Sequence, residues 1–251
     1  MHAAASWRER SYPFRHYVAD SVLDPDQYAR VAAEFSRIER GLDPDSSVRL
    51  SKSRNYDALT FGMRASVAAG FRPLFEKHWI DQLADLVGIK AVPALDAGLH
   101  HVPQGSRSGW IHSDCCSAWF NGPVPQKQRR IVFPDRRMCD YFSGEPKHPE
   151  ARPAEYVRAA TMIFYLRNEG WEAGMGGETG LYAGSKASYG GEVLVPPVDN
   201  TLVLFECSPH SYHRLIANPG KPRNSIVLWL HSTVEESAKR WSSGVMRRGP
   251  R

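Results

Sequence analysis

Two histidines and an aspartate in this chain could hold a divalent metal between them. His112 and Asp114 stand two positions apart in Gly109-Trp-Ile-His-Ser-Asp-Cys-Cys116, and His213 lies in Pro209-His-Ser-Tyr-His-Arg-Leu215. Residues i and i+2 of a strand project to one face, so the imidazole and the carboxylate would enter one cavity together. Two histidines and one carboxylate make the facial triad of non-haem Fe(II), which leaves positions open for a cosubstrate and O2. His210, three residues before His213, is the rival second histidine. A His-x-Asp pair alone is weak, and it gains weight from two residues near the C-terminal end. Arg223 stands ten positions after His213, and Ser225 two beyond that. In a strand over Asn224-Ser-Ile-Val-Leu-Trp-Leu230, residues Arg223, Ser225, Val227 and Trp229 share one face. A guanidinium beside a hydroxyl suits bidentate capture of a carboxylate. Two core histidines satisfied by neighbours would not explain Arg223, and Cys115 and Cys116 leave zinc as a competing metal.

The elements that must position these groups are readable in outline. A short first strand is expected over residues 13–19. Asp24-Pro-Asp26 reads as a helix start, with the helix running through Phe35 and Val31 and Phe35 on one face. Residues 41–55 read as loop, and helical regions come after it over 66–74 and 75–87, the last stopped by Gly88. From residue 91 the pattern changes to strands: 99–102, 109–115, then 161–166, 200–206 and 224–230. In Thr161-Met-Ile-Phe-Tyr-Leu166, residues Thr161, Ile163 and Tyr165 face one way. The glycine-rich run 170–191 suits a hairpin and a flexible loop. A tail helix spans 234–241. Residues 122–155 do not reduce to sheet, and a long irregular stretch in a domain is a lid, a binding loop or a disordered segment.

The chain has 251 residues, 42% of them hydrophobic, enough for a sizeable core in one domain. No segment approaches the ~20 apolar residues of a membrane span, and Met1 to Arg10 carries no apolar signal core. Four cysteines, two adjacent, give no disulfide framework, so a reducing cytoplasm is the expected location. A net charge of +5 is dispersed and mainly serves solubility, although it would also suit an acidic carrier protein. Basic residues do not alternate with aromatics as in a base-stacking platform, so neither nucleic acid nor membrane is an expected partner.

Four blocks, in order, resemble the 2-oxoglutarate/Fe(II)-dependent oxygenases, in particular their prolyl-4-hydroxylase-like branch and its bacterial small-molecule hydroxylases. They are Leu99 to Gly105 leading to His112-x-Asp114; Arg158 to Asn168 with Trp171 and Gly176-Gly-Glu178; Asn200 to Phe205; and His213 to Ser225. The resemblance runs from about Phe14 to His231. It implies a mainly β chain with flanking helices, a double-stranded β-helix (a cupin-like jelly roll). Helical support is expected over about 24–90, the jelly-roll core over 91–232 and an insertion or lid over 122–155, all in one domain spanning residues 1–251. His112, Asp114 and His213 would be the catalytic iron ligands. Arg223, Ser225, Tyr165 and Thr161 would bind 2-oxoglutarate. O2 is the second cosubstrate and ascorbate a reductant. Because Asp114 keeps the carboxylate position, halogenation is not expected.

The implied reaction oxidises an unactivated C–H, by hydroxylation, desaturation or ring formation, and releases succinate and CO2. A small molecule is the expected substrate: an amino acid or an intermediate of natural product biosynthesis. Trp110, Trp119, Arg136, Arg137, Tyr141 and Trp171 are the candidate substrate contacts. The insertion, with Arg129, Arg130 and Phe142 as well, would select the substrate. Hydroxylation of a prolyl, peptidyl or carrier-bound residue is the alternative, and a non-catalytic jelly-roll binding module is the reading from another class.

Overall fold

A computed structural model of the chain describes residues 6–53, 56–125, 127, 130–185 and 193–242. Strands β1 (Ser6–Arg10) and β2 (His16–Asp20) open the chain and precede helix α1 (Pro25–Glu39). The acid before Pro25 explains where α1 begins: the Asp24 carboxylate accepts the Gln27 N–H at 2.8 Å. Short strands β3 (Ser51–Lys52) and β4 (Leu59–Gly62) come next. The helical region expected over 66–74 is a turn of 3-10 helix, Ala68–Phe71, running into the four-residue α2 (Arg72–Phe75). Pro73 suits that first turn, because the N–H it lacks would have no helical partner there. Helix α3 (Lys77–Val87) stops at Gly88, whose φ of 72° is the left-handed C-cap the sequence predicts.

The remaining chain is β: β5 (Val92–Val102), β6 (Ser117–Asn121), β7 (Pro153–Tyr165), β8 (Thr179–Tyr182), β9 (Val193–Val195), β10 (Thr201–Glu206), β11 (Tyr212–Leu215) and β12 (Arg223–Thr233). Helix α4 (Val234–Trp241) closes it, with Thr233 as N-cap. The strands form a nine-stranded sheet, β1-β2-β10-β7-β12-β5-β4-β3 with β6 also paired to β7, and a three-stranded sheet, β11-β8-β9. All their pairings are antiparallel. This is the jelly roll, with its helices against the outer face of the larger sheet.

Alternation along the strands decides what each face does. The outward set Leu95, Ala97, Leu99, Met162, Phe164, Ile226 and Leu228 packs with Val31, Phe35, Leu83 and Val87 of the helices in one cluster. The inward set is smaller and more polar, so it leaves space between the sheets. Register orders it into three rows: Asp96–Trp229–Thr161, then Gly98–Val227–Ile163, then His100–Ser225–Tyr165.

Three segments differ from the sequence expectation. β5 and β7 extend far beyond 99–102 and 161–166, because β12 runs the full length between them and pairs with both. Residues 109–115 are not a continuous strand: His112 makes an isolated bridge to His213. The 130–152 part of the insertion lacks strands yet is tied down. Leu95 N–H donates to the Val132 carbonyl and Val132 N–H to the Pro93 carbonyl, both at 2.9 Å, and Trp119 N–H reaches the Tyr141 carbonyl at 2.8 Å.

Candidate active site

The two histidines are placed by their own backbones. His112 N–H donates to the His213 carbonyl at 3.0 Å, and His213 N–H donates to the His112 carbonyl at 2.8 Å. This reciprocal pair sets the ring centroids 4.5 Å apart. Each imidazole directs Nδ1 at a backbone carbonyl, His112 at Trp110 (3.0 Å) and His213 at Ser211 (3.3 Å). A proton held there leaves the Nε2 lone pair free for a metal. Both Nε2 atoms face Asp114, at 3.7 Å from Oδ1 for His112 and 3.4 Å from Oδ2 for His213. One ligand atom from each of the three residues lies within 4.8 Å of the others. His210 is exposed and outside this group, and neither Cys115 nor Cys116 joins it.

Asp114 is buried and held from the larger sheet. Its Oδ2 accepts Thr161 Oγ1–H and Trp229 Nε1–H, both at 2.8 Å. The Arg158 guanidinium stands 3.5 Å from Oδ1 and 4.0 Å over the Trp229 ring. Burial opposes ionisation of Asp114, but His213, His112 and Arg158 overcome it and hold the carboxyl well below its usual range. Burial, aided by His213, pushes the His112 imidazole down. A neutral imidazole beside an ionised carboxylate is the state a metal needs.

A second polar group lies along the same inner face. Arg223 is buried, and its Nη1 donates to Ser225 Oγ at 3.0 Å and its Nη2 to Thr179 Oγ1 at 3.3 Å. Tyr165 shares Thr179 through a 2.7 Å bond, and its ring lies under the guanidinium at 5.2 Å. Arg223 Nε has no partner, and no carboxylate among the described residues pairs with this charge. A buried guanidinium without an acid is a carboxylate site in waiting.

Thr161, expected from the sequence beside 2-oxoglutarate, has its hydroxyl on Asp114 in the structure. Thr161 shares a row with Trp229 and Tyr165 shares one with Ser225; four residues of strand separate them by about 13 Å. Thr179, which the sequence reading missed, takes the place beside Arg223.

The candidate substrate contacts divide. Trp110 is 45% exposed, its ring centroid 5.7 Å from that of His112. Arg136 and Arg137 line a cleft of about 1030 Å³ with Tyr56, His100, Arg158 and Trp229. Tyr141 does not reach the cleft: it is buried, and its hydroxyl takes the Arg158 Nε–H at 3.0 Å while bonding His231 Nε2 at 2.8 Å. Trp119 lies against the backbone of Gly144, in the space a side chain there would fill. Trp171 donates to the Gly176 carbonyl at 2.8 Å and pins the turn behind Arg223. Arg129 lies outside the described residues. Asp96, His100 and Arg158 were missed by sequence reading, although charged or polar residues inside long apolar strands are the signal that finds them.

An inner wall that offers two histidines and a carboxylate to one point, inside a jelly roll, has the donor set that suits non-haem iron. Residues 136–231 match the sequence model of the 2OG-Fe(II) oxygenase superfamily. Solved structures that share the fold include three prolyl hydroxylases. The Pseudomonas putida prolyl-4-hydroxylase is 17% identical, with a TM-score of 0.52 over 90% of this chain and 92% of that one. The Trichoplax adhaerens prolyl hydroxylase, solved with a hypoxia inducible factor peptide fragment, is 15% identical, with a TM-score of 0.54 over 90% and 85%. The viral collagen prolyl hydroxylase of Paramecium Bursaria Chlorella virus-1, solved with 2OG, is 15% identical, with a TM-score of 0.51 over 87% and 96%. No curated protein matches the chain in sequence. Residues 136–231 thus carry a 2OG-Fe(II) oxygenase match, a family that uses Fe(II), 2-oxoglutarate and O2, and the His112, Asp114 and His213 group is the candidate iron site. The matched segment includes His213 and Arg223 but not His112 or Asp114, which the fold brings to them. No helix among the described residues is long and apolar enough to cross a membrane.

Proposed function

We propose that this oxygenase hydroxylates an unactivated C–H of a small molecule, an amino acid or a biosynthetic intermediate, and releases succinate and CO2. The observation that carries the cosubstrate assignment is Arg223, buried without an acid partner on the inner face that also carries the hold on Asp114. His112, Asp114 and His213 would hold Fe(II), and their donor set fits that ion. Arg223, Ser225 and Thr179 would take the distal carboxylate of 2-oxoglutarate, with Tyr165 beneath. Iron in this site supplies O2 activation, with one oxygen atom ending in succinate and one in the product. Thr161 and Trp229 fix the Asp114 carboxylate, and the carbonyls of Trp110 and Ser211 fix the imidazole tautomers.

A small substrate is supported by the cleft. Residues from 45–51 and 56–66 wall one side and residues 133–137 with Phe142 the other, and the cleft volume is of the size of small-molecule sites. The alternative is a peptidyl or carrier-bound residue, because the solved neighbours are prolyl hydroxylases and one holds a peptide. Anaerobic addition of Fe(II) and then 2-oxoglutarate should give a stoichiometric, 2-oxoglutarate-dependent visible band. A mass-spectrometric screen of free amino acids, pathway intermediates and prolyl peptides comes second. Absence of the band would overturn the cosubstrate assignment and favour a binding module. A product from peptides alone would overturn the small-molecule reading.

A further inference from the structure

The cleft contains a feature that the iron chemistry does not use. Gly62 of β4 and Gly98 of β5 are register partners, and both line the cleft. With no side chains of their own there, the paired strands form a floor that the His100 ring and the Arg136 side chain can approach closely. Two donors stand over it. His100 Nε2 lies 3.0 Å from the point where a Cβ on Gly98 would stand, and Arg136 Nε lies 3.7 Å from the equivalent point on Gly62.

Each donor keeps capacity for a ligand, although the Arg136 guanidinium also lies 4.7 Å over the Tyr141 ring. His100 Nδ1 is 2.6 Å from the Tyr56 hydroxyl, whose ring stacks on the imidazole at 24°. Burial, with help from Arg223, pushes His100 down to about 3, so the imidazole is neutral. Donation to a ligand requires the tautomer in which the Tyr56 hydroxyl donates to Nδ1 and the single imidazole proton stands on Nε2, above Gly98. Arg136 uses Nη2 on Asp96, at 3.0 Å from each oxygen; its Nε and Nη1 have no hydrogen-bond partner among the described residues. Asp96 pairs with Arg136 at 3.0 Å and stands 3.7 Å from Arg158, which also faces Asp114 at 3.5 Å, so the charges in that corner balance and the uncommitted Arg136 N–H groups are what would favour an anion.

We propose that this notch, floored by Gly62 and Gly98 and edged by His100 Nε2–H and the Arg136 guanidinium, binds the carboxylate of a free small acid as the substrate's anchor. The proposal rests on the small-molecule reading above and gives it a class. An internal residue of a peptide has an amide where the notch needs an anion, so the notch selects free acids. His100 and Arg136 would act as binding residues for the substrate, with His100 standing beside Ser225 at the edge of the Arg223 group that would serve the cosubstrate.

The test is anaerobic calorimetry with Fe(II) and 2-oxoglutarate saturating, so that Arg223 is occupied. L-Proline and L-prolinamide are titrated first, then the other L-amino acids and their primary amides as matched pairs. At least one acid should bind about tenfold or more tightly than its amide, the size of one charge-assisted bond pair. Gly62→Ala puts a methyl on the floor in ordinary contact with Arg136 Nε, and should bring the acid's affinity down to that of the amide. Arg136→Gln should do the same by another route, and circular dichroism with a thermal melt checks that both variants fold. Equal binding of acids and amides, no binding by any acid, or an acid preference that survives both variants would overturn the proposal. If the 2-oxoglutarate-dependent band is missing, the cosubstrate reading has failed instead. The same acid-amide titration on metal-free protein then judges the notch alone.

Discussion

Arg223→Met separates a cosubstrate residue from a structural one, because the two roles predict opposite signs. Methionine keeps most of the side-chain length and fills the space over Tyr165 while removing the charge. In the wild type that charge is buried with two hydroxyl partners, an unpartnered Nε and no carboxylate. Its desolvation is therefore uncompensated until an acid arrives. Loss of the buried charge partner should cost 2-oxoglutarate about 2 to 5 kcal/mol, or roughly thirty- to several-thousandfold in Kd. The ligand-free protein should not lose stability, since a buried unpaired charge has gone. Calorimetry with 2-oxoglutarate under anaerobic conditions reads the first effect, and thermal melts with and without ligand read the second. In the wild type, 2-oxoglutarate at about one hundred times its Kd adds about 2.7 kcal/mol of stability; in the variant that gain should vanish. A Kd within about threefold of wild type, or a ligand-free melt that collapses, would refute the reasoning and return Arg223 to the core; that bound is well below the smallest loss expected.

Thr161→Val and Trp229→Phe each remove one 2.8 Å bond to Asp114 Oδ2. Each should weaken Fe(II) binding about 10- to 100-fold with the fold intact, read by metal titration. His112→Ala and Asp114→Gly should abolish stoichiometric Fe(II) binding and turnover while far-UV circular dichroism stays unchanged; full activity in either would sink the triad. Burial holds His231 down to about 4 and His100 to about 3. Both folded values lie below that of a free imidazole, so the unfolded chain binds the extra protons. Stability should therefore fall as pH drops from about 6.5 towards 4, by up to about 1.4 kcal/mol per pH unit for each histidine. Urea melts at pH 7 and 5 measure this, and His231→Gln should flatten the slope. Arg137→Ala removes a side chain that is 90% exposed and paired with Asp135; substrate KM and coupling should not change, while Arg136→Gln raises substrate KM.

Local spacing found most of the residues that the structure gathers into the candidate iron and carboxylate groups, because alternation along one strand is a short-range property. Arg223 and Ser225 share a face by parity alone. The caps of α1 and α3 were legible for the same reason, through Asp24 and Gly88. What spacing cannot carry is which strand lies beside which. Thr161 and Tyr165 have the same parity, and only the register with Trp229 and Ser225 sends one to Asp114 and the other to Thr179. The same limit hid the wall of the cleft. Tyr56 lies in a polar stretch that reads as loop, and it meets His100 forty-four residues on. Tyr141 shows the converse: an aromatic in a polar insertion reads as a contact residue, yet packing takes it inside, where its hydroxyl joins Arg158 to His231.

The reciprocal backbone bonds between His112 and His213 have a consequence for metal traffic. Those backbone bonds hold the two imidazoles together independently of any ion, and Thr161 and Trp229 hold Asp114 beside them. A preassembled site of two imidazoles and one carboxylate has little geometric means of refusing ions that bind such donors more tightly than Fe(II) does. Cobalt, nickel, copper and zinc would all fit and would outcompete it at equal concentration. Which ion sits there in the cell is therefore decided by supply and exchange. Protein freshly made in a zinc-rich medium should emerge inert and regain turnover after chelation and anaerobic reloading with ferrous iron.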